Sequence, residues 1–429
     1  MNLFSKITHL LTVTPIWGFI SPSYFLSFNQ FKKAYNLISN ENFDYIDEYN
    51  SKLSASLGNG YITSFASGRM AFFAILKSLD VKEGDEVVLT GFTCSVMVNA
   101  VKRCGATPVF ADIDIDTLGT SPASVRRCIN SSTKIIVAQH SFGIPCEIDT
   151  IMEIAKSHNI FLIEDCALSF MSSYKNILLG NWGDAAIFST DHTKPLNTLI
   201  GGFSYTKDKV LNDKIREVHL SSGSLSKKHS YKILMQYLKE CVYEKISHKL
   251  FIWALYWDFF KDNFLFKSSI SPYLINDSCS VPKEDFYYPY PAKLPSFLAY
   301  IGIFVLDKYK KDLYAKHEFL DVLLSILKEY DVRIPKMYFD LSANVVPLRL
   351  CFICEDEYKL KFLRSKTDGW IWFKEPIIAT VDPLDSFGYK KGMCPVAERI
   401  GSSIMNLPIP SNIKKRNLLI QKIKEYFND

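Results

Sequence analysis

The sequence has no predominantly apolar, uncharged run of about 18 residues, so no transmembrane helix is expected. It has no block of Lys and Arg interleaved with aromatics, and its formal net charge is only +5. Nucleic-acid binding therefore has no support. Charged residues make up 22% and hydrophobic residues 48% of the chain, which argues against global disorder. Residues 7–20 are apolar but broken by Thr and Pro, and no small-residue cleavage pattern follows, so a secretory signal is not expected. No disulfide framework is needed either. The 10 cysteines, Cys94, Cys104, Cys128 and Cys166 among them, sit mostly in apolar runs of a chain long enough to build a core. They read as free thiols in a reducing cytoplasm. One CxxC, Cys351 and Cys354, lies in the apolar run 345–354, itself read as a buried strand. No second CxxC or His pair completes a zinc site, so no metal is expected. There is no internal repeat.

What is present is an alternation of helix and strand patterns from about residue 43 to 206. Ser67 reads as the N-cap of an apolar-periodic helix over 70–79. Strands are expected at 86–89, 107–113, 134–139, 160–163, 185–189 and 202–206, with helices over 93–105 and 148–157. Such alternation predicts an α/β fold with a mostly parallel central sheet and helices on both faces, with ligands gathered at the strand ends. The division expected is an N-terminal arm (1–42), a large domain (43–207), a helical, aromatic-rich insert (208–295) and a smaller C-terminal α/β domain (296–429). Within the last, a long helix from 297, strands at 332–335 and 345–354, and helices at 355–364, 395–405 and 414–426 are expected.

Several residues in the strand-end loops carry chemistry. Lys194 follows the strand at 185–189, and a lysine whose pKa is lowered is the side chain that condenses with an aldehyde. Asp165 ends the apolar strand at 160–163, where Glu164 points the other way. Ser67, Gly68 and Arg69 open a helix, where amide N–H groups and the helix dipole suit a phosphate. Ser189 could add a hydroxyl to that phosphate. His140 ends another apolar strand, and His192 precedes Lys194 by two residues. Each has a plainer reading in isolation: a solvated lysine, a turn acid, an ordinary cap, a structural histidine.

The ordered set resembles the DegT/DnrJ/EryC1/StrS aminotransferases, sugar aminotransferases of fold type I that use pyridoxal phosphate (PLP). The resemblance runs through Ser67 and Gly68, Phe92 and Thr93 with Asn99 and Ala100, the segment 105–114, His140 to Gly143, the run 163–167, Gly183 to Ala185, Phe188 and Ser189, Thr193 and Lys194, and Gly201 and Gly202. A further match lies at 395–399 followed by Leu407 and Pro408. The resemblance implies that Lys194 holds PLP, that Asp165 faces its pyridine nitrogen, and that Ser67, Gly68 and Ser189 bind its phosphate, with Arg69 in the same loop and His140 lining the site. It also implies a homodimer whose sites borrow residues from the partner. The implied reaction moves an amino group from glutamate to a keto group on a nucleotide-linked sugar, for a surface polysaccharide or glycolipid.

Two positions depart from the family pattern. Leu168 stands where the family has a Gln bonded to the ring hydroxyl, and Cys94 stands where an aromatic stacks on the ring. The insert is the other departure, with eight aromatics between residues 250 and 266. It reads as a peripheral contact with the inner membrane face, or as an extra layer packed on the enzyme's core or its dimer mate. Two alternatives to the aminotransferase remain: a PLP-dependent deoxysugar dehydratase, in whose branch histidine replaces the lysine, and a catalytically silent binding subunit.

Overall fold

The computed structural model describes residues 24, 26–245, 273–274, 288–357, 360, 373–380, 382–410 and 412–428. The aromatic run 250–266, most of the expected helix at 355–364 and residues 1–23 of the arm lie outside the described residues.

Seven strands form the central sheet: β1 (Tyr61–Phe65), β2 (Glu86–Thr90), β3 (Thr107–Ala111), β4 (Thr133–Gln139), β5 (Phe161–Asp165), β6 (Ala185–Ser189) and β7 (Gly202–Thr206). Their spatial order is β1-β7-β6-β5-β4-β2-β3. The five strands from β6 to β3 run parallel. Only β7 is antiparallel to its neighbours, β1 and β6. The inner strands are apolar because both faces are covered, as in Ile135, Ile136 and Val137 of β4 and Leu162 and Ile163 of β5, all at most 2% exposed. The covering helices are α1 (Phe28–Ser39), α2 (Asp44–Leu57), α3 (Gly68–Ser78), α4 (Ser95–Arg103), α5 (Pro122–Cys128) and α6 (Ile148–Ser157). The expected helix at 148–157 and strands at 185–189 and 202–206 match the observed bounds.

After β7 come α7 (Lys209–Ser221) and α8 (Lys227–Lys245), separated by residues 222–226, in the stretch expected to be an insert. Helix α8 buries Ile233, Leu234, Tyr237 and Cys241, and packs on α1. The Tyr237 hydroxyl donates to the Tyr24 carbonyl at 3.0 Å. Helix α8 is thus a layer on the chain's own core. No described helix is long and apolar enough to cross a membrane.

Helix α9 (Ser296–Leu327) then runs along α1 and α2. Its Gly302 lies against Tyr49 of α2, and a Cβ there would sit 2.6 Å from that ring. The C-terminal unit pairs β8 (Arg349–Ile353) with β9 (Ile404–Pro408) in antiparallel register, flanked by α10 (Pro395–Ser403) and α11 (Ile413–Asn428). Three expectations are corrected here. Residues 332–335 form no strand; only Arg333 bridges Ile353. The strand expected over 345–354 is confined to 349–353, because Pro347 supplies no N–H. The helix expected to reach 405 ends at Ser403, since Ile404 and Met405 pair with Ile353 and Phe352. The two units are tied by Asp112 at the end of β3. Its carboxylate accepts the N–H groups of Val396 and Ala397 at 2.8 and 3.0 Å, capping α10 from the edge of the central sheet. All nine described cysteines are free thiols, Cys351 and Cys354 included.

Candidate active site

The parallel strands deliver their C-terminal ends to one edge of the sheet, and the candidate residues converge there. Alternation along β5 separates its two terminal acids. Glu164, fully buried, accepts N–H bonds from Gly180 (2.7 Å), Trp182 (2.7 Å) and Gly183 (2.8 Å). It also faces Nε2 of His140 at 3.2 Å. Glu164 is therefore a tie for the loop after β5 and takes no part in the site.

Asp165 faces the opposite way, 6% exposed. One carboxylate oxygen accepts the Ala167 N–H at 2.9 Å. Burial pushes its pKa above the ordinary carboxylate value. The Ala167 N–H and the Lys194 ammonium act against that rise. Strands β5 and β6 pair in parallel, with Asp165 opposite Ile187, so the loop that carries Lys194 leaves the sheet at the same edge as Asp165. Lys194 is held by its own amide N–H, which donates to the Asp191 carbonyl at 2.9 Å in the loop after β6. Cys94, the residue before α4, completes this group. Burial raises its thiol pKa, opposed by a backbone N–H from Val96 and by the charges of Lys194 and Arg69. Residues Thr93 and Cys94 pair in parallel with Ile377 and Ile378, so the C-terminal unit forms one wall of the site.

The start of α3 lies beside the loop. Ser67 is its extended N-cap, bridged to Gly201. Its hydroxyl is buried and, among the described residues, has no hydrogen-bond partner. An orphaned buried hydroxyl at a helix N-terminus calls for a ligand that accepts or donates hydrogen bonds. Gly68 touches β6: a Cβ would lie 3.0 Å from the Ser189 Cβ and 3.1 Å from the Phe188 carbonyl. Ser189 is thereby set against the helix start, with its hydroxyl 3.4 Å from the Asp191 N–H.

Gly202 on β7 has even less room. A Cβ there would sit 2.2 Å from the Gly68 nitrogen and 2.7 Å from the Phe188 carbonyl, both backbone atoms. Gly202→Ala must spread β7, β6 and α3 apart. It is expected to cost about 1–3 kcal/mol of stability and to loosen the Ser67 cradle. Thermal melting and a PLP titration of the variant check this; unchanged values in both would contradict it.

The remaining expected residues have other surroundings. The Arg69 guanidinium turns towards the insert, donating to the Leu274 carbonyl and, at 2.9 Å, to the Tyr288 hydroxyl. His140 is fully buried. The Cys146 N–H donates to its Nδ1 at 3.1 Å, so the network puts the ring proton on Nε2, facing Glu164. Both ring nitrogens are occupied, while the His140 backbone N–H holds the Asp165 carbonyl at 3.1 Å. His140 thus positions Asp165. Leu168 is 5% exposed in the core, with no group able to bond a ring hydroxyl.

A family model describing the DegT/DnrJ/EryC1/StrS aminotransferase family matches residues 29–242. The chain belongs to this family. It is a PLP-dependent family, and the fold is that of the fold type I PLP-dependent transferases. The chain is 37% identical over 188 residues to a GDP-perosamine synthase of Escherichia coli O157:H7, covering 44% of this chain and 51% of that protein. It is 36% identical over 179 residues to the spore coat polysaccharide biosynthesis protein SpsC of Bacillus subtilis, covering 42% and 46%. These matches span about half the length of the relatives. A pleiotropic regulatory protein of Geobacillus stearothermophilus is 25% identical across 90% of each chain. An aminotransferase structure from Psychrobacter cryohalolentis superposes with a TM-score of 0.72 at 20% identity, covering 95% of this chain and 98% of that one.

Sequence reasoning missed three residues around this family's lysine loop. Asp191 is half-buried, and although desolvation opposes it, His192 and Lys194 hold its carboxyl well below the ordinary range. The Tyr273 ring packs on His192, and its hydroxyl donates to Glu240 of α8. An acid next to a histidine, two residues before the lysine, was the signal for the first. Nothing in the sequence marked the other two.

Proposed function

We propose that this protein is a PLP-dependent aminotransferase that moves an amino group from glutamate to a keto group of a nucleotide-linked sugar, in the making of a surface polysaccharide or glycolipid. The observation that carries the reading is the orphaned Ser67 hydroxyl at the start of α3, set against Ser189 at the sheet edge where buried Asp165 and the Lys194 loop emerge. The residues fit the cofactor. Ser67, Gly68 and Ser189 would hold its phosphate, Asp165 its pyridine nitrogen, and Lys194 its aldehyde carbon. When bound, PLP supplies a carbonyl for amino groups and a ring that takes up an electron pair.

The chain's own contribution is positioning and charge. Asp165 would keep the ring nitrogen protonated; the Ala167 N–H holds its carboxylate, and the His140 N–H holds its main-chain carbonyl. Lys194 would hold the aldehyde carbon and carry protons at Nζ. The wall formed by Thr93, Cys94, Ile377 and Ile378 limits water. A GDP-perosamine synthase and a polysaccharide biosynthesis protein among the relatives support a sugar substrate. The protein would work in the cytoplasm as a homodimer that completes its sites with partner residues, the insert lending contact with the membrane's inner face.

The test uses [15N]glutamate, PLP and a panel of nucleotide-linked ketosugars. The label is expected in an amino sugar from at least one of them. A keto-deoxysugar formed without label would support the dehydratase instead. PLP bound with no conversion of any panel member would contradict the proposed substrate class.

A further inference from the structure

Strand β1 is the outermost strand of the central sheet, two places from the β6 that leads into the Lys194 loop. A cavity of about 260 Å³ opens against it, between α2, α7 and the residues that enter α9. Three basic side chains line this cavity: Arg216 and His219 of α7, and Lys293. The first two share a helix face, because residues three apart in an α-helix stand one above the other. The third is brought there by main-chain bonds. Lys293 bridges Phe65 at the end of β1, and its N–H donates to the Gly223 carbonyl at 2.9 Å. The chain entering α9 is thus laid between the sheet edge and the turn after α7. The Phe65 ring also sets the His219 ring, with centroids 5.3 Å apart at 81°.

This gathering of positive charge is not balanced from within. Among the described residues neither Arg216 nor Lys293 has an ion-pair partner. Burial, then the charges of Lys293 and Arg216, push the His219 pKa down to about 4, and no carboxylate offsets them. The cavity has acceptors as well. Glu41, just before α2, and Asp47 and Asn50, in its first two turns, also line it. The Ser64 hydroxyl donates to the Asn50 side-chain oxygen, which leaves the Asn50 amide N–H groups as donors. Ile62 and Leu294 add apolar wall, against which charges are screened less than in open water.

Such a lining suits a ligand with an anionic end and a body that donates hydrogen bonds. A phosphate ester carries close to two negative charges at neutral pH and offers three acceptor oxygens, which matches two fixed cations and an imidazole. Carboxylates only accept, so Glu41 and Asp47 call for hydroxyls, as on a sugar ring. The volume lies below the roughly 300–1,000 Å³ of sites that enclose larger ligands, which favours a monosaccharide over a nucleotide-linked sugar.

We propose that this cavity is a second ligand site that takes a monosaccharide phosphate, with Arg216, His219 and Lys293 on the phosphate and Glu41, Asp47 and Asn50 on the sugar hydroxyls. The site is separate from the lysine loop, and the proposal does not rest on the cofactor assignment.

The experiment is a calorimetric titration of the full chain, saturated with PLP and desalted, with glucose 1-phosphate, inorganic phosphate and glucose as probes. Glucose 1-phosphate is expected to bind, inorganic phosphate to bind more weakly, and glucose alone not to register. Arg216→Gln and Lys293→Gln should each weaken glucose 1-phosphate by about 10-fold or more, the worth of one hydrogen bond to a charged group. Arg216 is exposed and Lys293 half-buried, so the melting temperature should hold in both variants. Asp47→Asn should weaken glucose 1-phosphate without weakening inorganic phosphate. The His219 titration, followed by NMR, should move up from about 4 as glucose 1-phosphate fills the site, because the bound anion favours the imidazolium against Arg216 and Lys293. Absence of glucose 1-phosphate binding, or undiminished binding when Arg216→Gln and Lys293→Gln are combined, would overturn the site. Inorganic phosphate binding as tightly as glucose 1-phosphate would overturn the sugar half of the assignment.

Discussion

Lys194→Ala is expected to remove the visible absorbance of bound cofactor and to bring turnover below detection, with the fold intact. The side chain sits in a strand-end loop and is only partly buried, so truncation leaves no large cavity. The loop keeps its shape through backbone bonds that the substitution does not touch. The Lys194 N–H still reaches the Asp191 carbonyl, and the Thr190 N–H still reaches Gly201. Activity fails for a different reason: the amine that would capture the aldehyde and release it again is gone. Absorbance spectra, an amino-transfer assay and circular dichroism check the three parts. A variant that keeps the visible band would show that another lysine is used.

Asp165→Asn is expected to lower turnover by on the order of 10²-fold or more while the protein still binds PLP. An amide cannot hold the ring nitrogen protonated, so the electron sink is lost. The same substitution should act the opposite way on stability. Burial raises the Asp165 pKa in the cofactor-free fold, so the folded protein binds this proton more tightly than the unfolded chain does. A carboxyl of that kind contributes most stability below its ordinary pKa of about 3.9, and the contribution falls as pH rises through the folded value. At neutral pH the ionised group is a burden, which an uncharged Asn removes. Cofactor-free Asp165→Asn should therefore melt higher than the wild type at pH 7, with the difference vanishing in acid. Near-normal turnover, or a variant that melts lower at pH 7, would contradict this placing of Asp165.

Much of the site was legible because it lies where periodicity is strong. The apolar runs before Asp165 and Lys194 are buried on both faces, so their ends could be read to within a residue or two, and alternation alone separated Glu164 from Asp165. The opening of α3 at Ser67 was legible from the start of its apolar period. Strand β1 was not legible, since Thr63 and Ser64 break the apolar pattern. Both are buried, satisfied by Asn212 and Asn50. The end of α10 was misread because Ile404 and Met405 extend a helical period that pairing with β8 overrides. The family resemblance supplied the roles of Lys194 and Asp165, which the residues alone left as a loop lysine and a turn acid. Tyr273 and Glu240 could not have been found. They lie 81 and 48 residues beyond His192, and only the folding back of the insert brings them to it.

The account turns on which lysine captures the cofactor. The direct measurement is borohydride reduction of the PLP-loaded protein, followed by proteolysis and mass spectrometry of the labelled peptide. The pyridoxyl mass is expected on Lys194, within the peptide that contains Asp191 and His192. The same mass on a different lysine, or no labelled peptide from a protein saturated with PLP, would contradict the account.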